Sequence, residues 1–237
     1  MEHLDFHRGL ASLTLRRSGF TLIELLVVLA IITVIMAITL TSQGSFNKSL
    51  ILANTAYDIA LSLRSAEAYG IGSRVASAAN NAGYGLHFDR ATPSTFILFT
   101  DTYPLAGQAG VCHPTADPSS PAAQPGNCAY DVSPVESITS YTLGNSITIG
   151  NFCAFSGAWS CASASPTCTG SCSTGLSTMD IVFARPNPDP FISVNGVYSL
   201  ASPMTAACMA VSSPFGGSRY VSISASGAIT ANAASCP

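Results

Sequence analysis

Apolar side chains crowd the start of the chain. From Phe20 to Leu40 a run of 21 residues carries one charge, Glu24, and otherwise only threonines interrupt it. About 20 apolar residues at ~1.5 Å each match a hydrocarbon core of ~30 Å, so the run predicts one membrane-spanning helix. Beyond it the pattern turns periodic. Phe46, Leu50, Ala53, Tyr57 and Leu61 recur at spacings of three or four, and so do Leu52, Ala56, Ile59, Leu63 and Ala66. These are two apolar stripes on one amphipathic helix. One should pack on its own domain, and the other either enters the same core or meets neighbouring helices. No proline interrupts the first 92 residues, so a single helix is expected from Phe20 to about Ser73. It would end at Gly70-Ile71-Gly72, where glycine suits a left-handed cap. A phosphate loop is a poor reading of these glycines, because the third glycine of the dinucleotide fingerprint is absent.

After residue 73 the pattern shortens to strand length. Tyr84 to Phe88 and Thr95 to Thr100 predict a hairpin with its turn at Asp89–Ser94. Ser146 to Phe155, Met179 to Ala184, Ala206 to Ser212 and Arg219 to Ser224 are further strands, with a last short extension after Gly227. Two stretches, Leu105 to Val135 and Ser156 to Ser177, read as irregular inserts rich in small and turn-forming residues. The fold class expected is α+β: a long N-terminal helix packed on an antiparallel β head, since half-apolar strands and an amphipathic helix must cover each other. The segments are 1–19 as leader, 20–40 as span, 41–73 as amphipathic continuation and 74–237 as head.

Charge sets the orientation. Arg8, Arg16 and Arg17 precede the span and the next cation is Lys48, so the N-terminus is expected in the cytoplasm and the head outside it. The chain carries a net charge of −3, and loss of the first 19 residues, with three cations and two acids, would make it −4. Such a chain has no general attraction for nucleic acid. Beyond residue 100 only Arg185 and Arg219 are basic, too few for the several phosphate contacts that DNA binding needs.

All eight cysteines, Cys112, Cys128, Cys153, Cys161, Cys168, Cys172, Cys208 and Cys236, lie on the exported side. In an oxidising space an even set predicts a disulfide framework. Spacing suggests Cys112 with Cys128 and Cys208 with Cys236, the middle four pairing among themselves. The rival is a zinc site using Cys168 and Cys172 with Cys153 and Cys161, although no second close pair or helical histidine pair completes it. His87, on a strand, and His113, in a loop, are expected in surface or hydrogen-bonded roles. Neither a nucleophile elbow nor a zinc-protease helix is present, and Asp117, Asp131, Asp180 and Asp189 lack the spacing of a calcium loop. No enzyme activity, metal or cofactor is expected.

Glu24 is the residue to explain, since an acid within a spanning helix is costly. Cleavage after Gly19 would leave Phe20 with a charged amine, the natural partner for a carboxylate in low dielectric. A secretory signal peptide would place its small cleavage residue after the apolar stretch, whereas Gly19 precedes it. The run Arg16-Arg17-Ser18-Gly19-Phe20-Thr21-Leu22-Ile23-Glu24 resembles the N-terminal signature of type IV pilins and type II secretion pseudopilins. The resemblance implies cleavage after Gly19 by prepilin peptidase and N-methylation of Phe20. It also implies pairing of Glu24 with the Phe20 amine of a neighbouring subunit. Implied partners are other pilin or pseudopilin subunits, the inner-membrane assembly platform and, before assembly, the lipid bilayer.

The strand Ser177–Phe183 and the closing strand Arg219–Ser224 with its Ser226-Gly227 turn are similar to those of H-type (GspH) minor pseudopilins and FimT-like minor pilins. Ala228 departs from that group, which commonly has a basic residue there, and the cysteine load is high for it. The expected function is a minor pilin or pseudopilin. The alternatives are a DNA-binding minor pilin of a competence pilus and a plain membrane-anchored extracytoplasmic protein.

Overall fold

The computed structural model describes residues 19–72, 82–103, 125–133, 135–163, 172–185, 187–215, 217–233 and 235–236. The chain divides into two compact units, Met1–Gly44 and Ser45–Pro237. A single helix, α1, runs Leu22–Ile71, close to the 20–73 expected from the unbroken pattern.

In the first unit every side chain from Leu22 to Leu40 is exposed, and the segment is long and apolar enough to cross a membrane. Thr33 and Thr39 turn their hydroxyls back onto the helix, donating to Leu29 and Ile35 carbonyls at 3.0 and 3.1 Å. The two threonines thereby satisfy their polar groups within the span, as an apolar surrounding demands.

The second unit contains two sheets. The strands are β1 (Gly83–Asp89), β2 (Thr95–Asp101), β3 (Ser137–Thr142), β4 (Thr148–Ser156), β5 (Ala158–Cys161), β6 (Ser173–Thr174), β7 (Thr178–Ala184), β8 (Asn187–Val194), β9 (Ala206–Ser213), β10 (Gly217–Ser224) and β11 (Ile229–Ala233). One sheet has the order β3-β2-β1-β7-β8, the other β11-β10-β9-β4-β5-β6. All pairings are antiparallel except β5 with β6. The expected α+β class holds, with two sheets in place of one. The hairpin pairs Tyr84 with Thr100 and Phe88 with Phe96, and its turn is closed at Asp89, whose Oδ1 accepts from Ala91 N–H at 2.8 Å.

Alternation explains the packing. Tyr84, Leu86 and Phe88 of β1, Phe96 and Leu98 of β2 and Met179, Ile181 and Phe183 of β7 point to one side. There they share a core with Phe152, Met209, Val211, Val221 and Ile223 of the second sheet and with the buried helix stripe. Gly70 lies inside the helix and is not its cap: a Cβ there would stand 2.1 Å from the Phe183 carbonyl oxygen. Only glycine lets the last helical turn approach β7 so closely. Of the two expected irregular regions, Leu105–Val135 lies mostly outside the described residues, and the other needs correction. Ser156 to Ser177 contains β5 and β6, hidden by its serine-rich composition. Asn187–Val194 forms β8 despite Pro188 and Pro190, because an edge strand tolerates proline.

Candidate processing and assembly site

The sequence junction Gly19-Phe20-Thr21 precedes the helix without regular structure. A side chain at Gly19 would meet nothing within 4 Å, so the glycine is not required by packing within the subunit. Thr21 caps the helix. Its Oγ1 accepts from the Glu24 backbone N–H at 3.3 Å, and its carbonyl accepts from Leu25 N–H at 3.2 Å. Thr21 and Glu24 thus occupy the N-cap and N3 positions of the helix, in the Thr-x-x-Glu spacing of a capping box. The Thr-x-x-Glu spacing was visible in the sequence but was overshadowed by the membrane cost of the acid. An acid in the first turn also lies at the favourable end of the helix dipole. Phe20 is exposed, as is Glu24, and neither is engaged in a core. Arg16 and Arg17 lie outside the described residues.

Within the second unit, the two stripes have different fates. Leu52, Ala56, Ile59, Leu63 and Ala66 are all 0% exposed in the core, whereas Phe46 is 67% exposed, Tyr57 54% and Leu61 63%. Leu50 is also exposed, and Ala53 is half-buried. The two stripes therefore do not enter one core. A folded subunit leaves an apolar face along the helix that the head does not cover.

Among the cysteines, Cys153 is bonded to Cys161 and Cys208 to Cys236. The second is the pairing that spacing suggested, and the first lies within the middle four. Cys153 and Cys161 are direct partners across the β4–β5 pair. Cys128 and Cys172 each also take part in a disulfide, and no described cysteine is free. Cys112 and Cys168 lie outside the described residues, so the Cys112–Cys128 pairing does as well. With Cys153, Cys161 and Cys172 oxidised, the thiolate set of the zinc alternative does not exist in this structure, because a disulfide sulfur is not a thiolate ligand.

His113 is outside the described residues. His87 sits on the outer face of the first sheet, where Nδ1 lies 2.5 Å from Oδ1 of Asp180 directly across the β1–β7 pair. Tyr130 covers it with ring centroids 4.7 Å apart. The loop bearing Tyr130 is tied down by buried carboxylates. Asp101 accepts from the Asn127 and Cys128 N–H groups at 2.9 and 2.7 Å. Glu136 accepts from Thr102, Tyr103 and Asp131 N–H at 2.7, 2.9 and 2.9 Å. Gly126, at φ 118°, passes so near the Asp101 carboxylate that a Cβ would stand 2.5 Å from it. Burial, with Glu136 adding repulsion, holds the Asp101 carboxyl well above its ordinary value, and burial also raises Glu136 and Asp180. For Asp180 the His87 hydrogen bond opposes that rise. Each acid is occupied by backbone donors or His87, so the cluster reads as loop architecture.

Residues 14–40 match the family model of the prokaryotic N-terminal methylation motif. No curated protein and no solved structure matches the chain. Gly19 and Phe20, just ahead of a helix long and apolar enough to cross a membrane, and Glu24, in its first turn, all fall inside the matched residues. Together they support a type IV pilin-like or pseudopilin precursor, a class whose members are structural subunits processed by prepilin peptidase.

Proposed function

We propose that this chain is a minor pilin or pseudopilin, a subunit of a type IV pilus or type II secretion filament of the H-type or FimT-like group. It is inserted as a single-pass protein of the cytoplasmic membrane, N-terminus inside, then trimmed after Gly19 and methylated on Phe20. The observation that carries this reading is the uncovered apolar helix. Leu22–Leu40 has no covering side chains within its own unit, and the Phe46–Leu61 stripe stays exposed on a folded head. Exposed apolar surface of this extent marks an interaction site. In the membrane lipid covers the first segment, and in a filament neighbouring helices cover both.

Glu24 gives the assembly its register. A lone carboxylate in a bundle of apolar helices is costly, and the Phe20 ammonium of an adjacent subunit neutralises it. The cysteines hold the head folded outside the cytoplasm, and DNA binding is not favoured, because Arg185 and Arg219 are the only arginines or lysines beyond residue 100, too few for several phosphate contacts. Replacing Gly19 by a bulky residue tests the reading. The precursor should accumulate untrimmed in the membrane and be missing from filaments, whereas normal trimming of that variant would overturn it.

A further inference from the structure

The outermost strands of a sheet carry unpaired backbone groups, and natural sheets guard them with prolines, charges, bulges or shortness. Among the described residues three of the four sheet edges are guarded in this way. β8 carries Pro188 and Pro190, β6 has two residues, and β11 has five with a register break against β10. β3, at the fourth edge, is open. Ser137-Ile138-Thr139-Ser140-Tyr141-Thr142 contains no charge, proline or glycine, and all six residues are exposed. Its single register shift against β2 falls at its beginning and leaves Thr139 to Thr142 regular. The strand buries no face in the core, yet it is fastened at both ends. Leu143 N–H donates to the Ser94 carbonyl at 2.8 Å, and the Glu136 carbonyl accepts from Thr100 N–H at 3.0 Å. The Tyr141 ring stacks on Phe96 with centroids 4.9 Å apart. A bare edge is thus held in place, which lowers the ordering cost of pairing with another strand.

The strand's own residues indicate what fits. Leu143 turns its N–H toward β2, so by alternation Thr139 and Tyr141 do the same, while Ser140 and Thr142 turn their backbone groups outward. An incoming strand therefore centres on Ser140. Opposed residues of an antiparallel pair share a face and a bonding direction, so a second β3 laid on this centre sets Ser140 against Ser140 and Thr139 against Tyr141 on either side. Hydroxyl pairs and pairs of β-branched with aromatic side chains are favourable across antiparallel strands. No charge meets a like charge in this register. Val135 and Ile138, 76% and 50% exposed, flank the seam with apolar surface that a second copy would cover. We propose that the β3 edge pairs antiparallel with β3 of a second copy of this chain, joining their five-stranded sheets into one across a two-fold axis. The contact requires neither trimming after Gly19 nor the span, so its failure would leave the pilin-like reading standing.

The test uses two differently tagged copies of the full chain, produced together and extracted in mild detergent, with capture of one tag and quantification of the other. Ser140 is exposed, so Ser140→Lys and Ser140→Glu should leave the thermal midpoint of the head unchanged. Wild type should capture wild type. Ser140→Lys should capture itself roughly tenfold less well, and Ser140→Glu likewise, because like charges then face each other across the two-fold axis. Ser140→Lys with Ser140→Glu should restore capture, since opposite charges now meet. Equal capture in all four combinations would place the contact elsewhere and overturn the proposal, as would a wild-type chain that captures no second copy. Capture that stays low in the mixed pair would reject a second β3 and assign the edge to a strand of a different protein.

Discussion

The hydroxyl of Thr21 accepts a hydrogen bond from the backbone N–H of Glu24 at 3.3 Å, which fixes Glu24 in the first turn of the helix. Glu24 therefore has two separable roles: its backbone completes the cap, and its side-chain charge is available to another subunit. Glu24→Gln keeps the capping-box residue type and removes the charge. This variant should insert and be trimmed normally, yet enter filaments about 100-fold less well or worse, as breaking a buried ion pair costs about 3–5 kcal/mol. Thr21→Val should cost about 1 kcal/mol at the helix start with far less effect on incorporation. Co-purification with the other filament subunits measures both, and equal incorporation of Glu24→Gln and wild type would reject the charge as the register signal.

The two helix stripes should respond oppositely to substitution. Ile59→Ala empties a fully buried site and should lower head stability by about 2–5 kcal/mol. Leu61→Ser, two residues away on the exposed face, should change stability by only about 0.5 kcal/mol while reducing filament incorporation. Denaturant midpoints and co-purification separate the two effects. A Leu61→Ser subunit that assembles fully would mean that this face stays wet in the filament.

Disulfide loss should follow loop length. Cys208–Cys236 spans 28 residues and Cys153–Cys161 spans 8. Replacing the first pair with serines should cost roughly 3–4 kcal/mol and the second roughly 2–3, by the loop entropy restored to the unfolded chain. Thermal unfolding of the two double variants checks the order.

The buried acids give the head an unusual pH response. Asp101, Glu136 and Asp180 are all held above their ordinary values, chiefly by burial. The folded state therefore binds protons more tightly than the unfolded chain. Their contribution is fully present below the unfolded carboxylate range near pH ~4 and is lost as pH rises through the raised folded values. Across the window between them, the head should become more stable as pH falls. Asp101→Asn keeps one oxygen acceptor and should flatten that slope. Urea midpoints of wild type and variant at several pH values measure it, and an unchanged slope would remove Asp101 from the account.

Much of this was legible in the chain. The span, the helix length and the hairpin follow from apolar run length, missing prolines and period-two alternation, all local signals. The stripes were legible too, but their fates were not, because which face the sheets cover is settled by β1, β7 and β9 arriving from distant sequence. Gly70 looked like a cap because its close neighbour, Phe183, lies 113 residues on. β3 was missed because Ser137–Thr142 is exposed along its whole length and shows no buried face. Asp101 and Glu136 carry no local signal, since the backbone donors around them come together only on folding.

The account stands most directly on the N-terminus of the protein as the cell leaves it. Intact-mass measurement with fragmentation, on protein extracted from membranes of cells that contain a prepilin peptidase, reads it in one experiment. The expected product begins at Phe20, carries one added methyl group on that residue's amine and lacks the first 19 residues. A protein that still begins at Met1, or one cut downstream of Leu40 and released from the membrane, would contradict it.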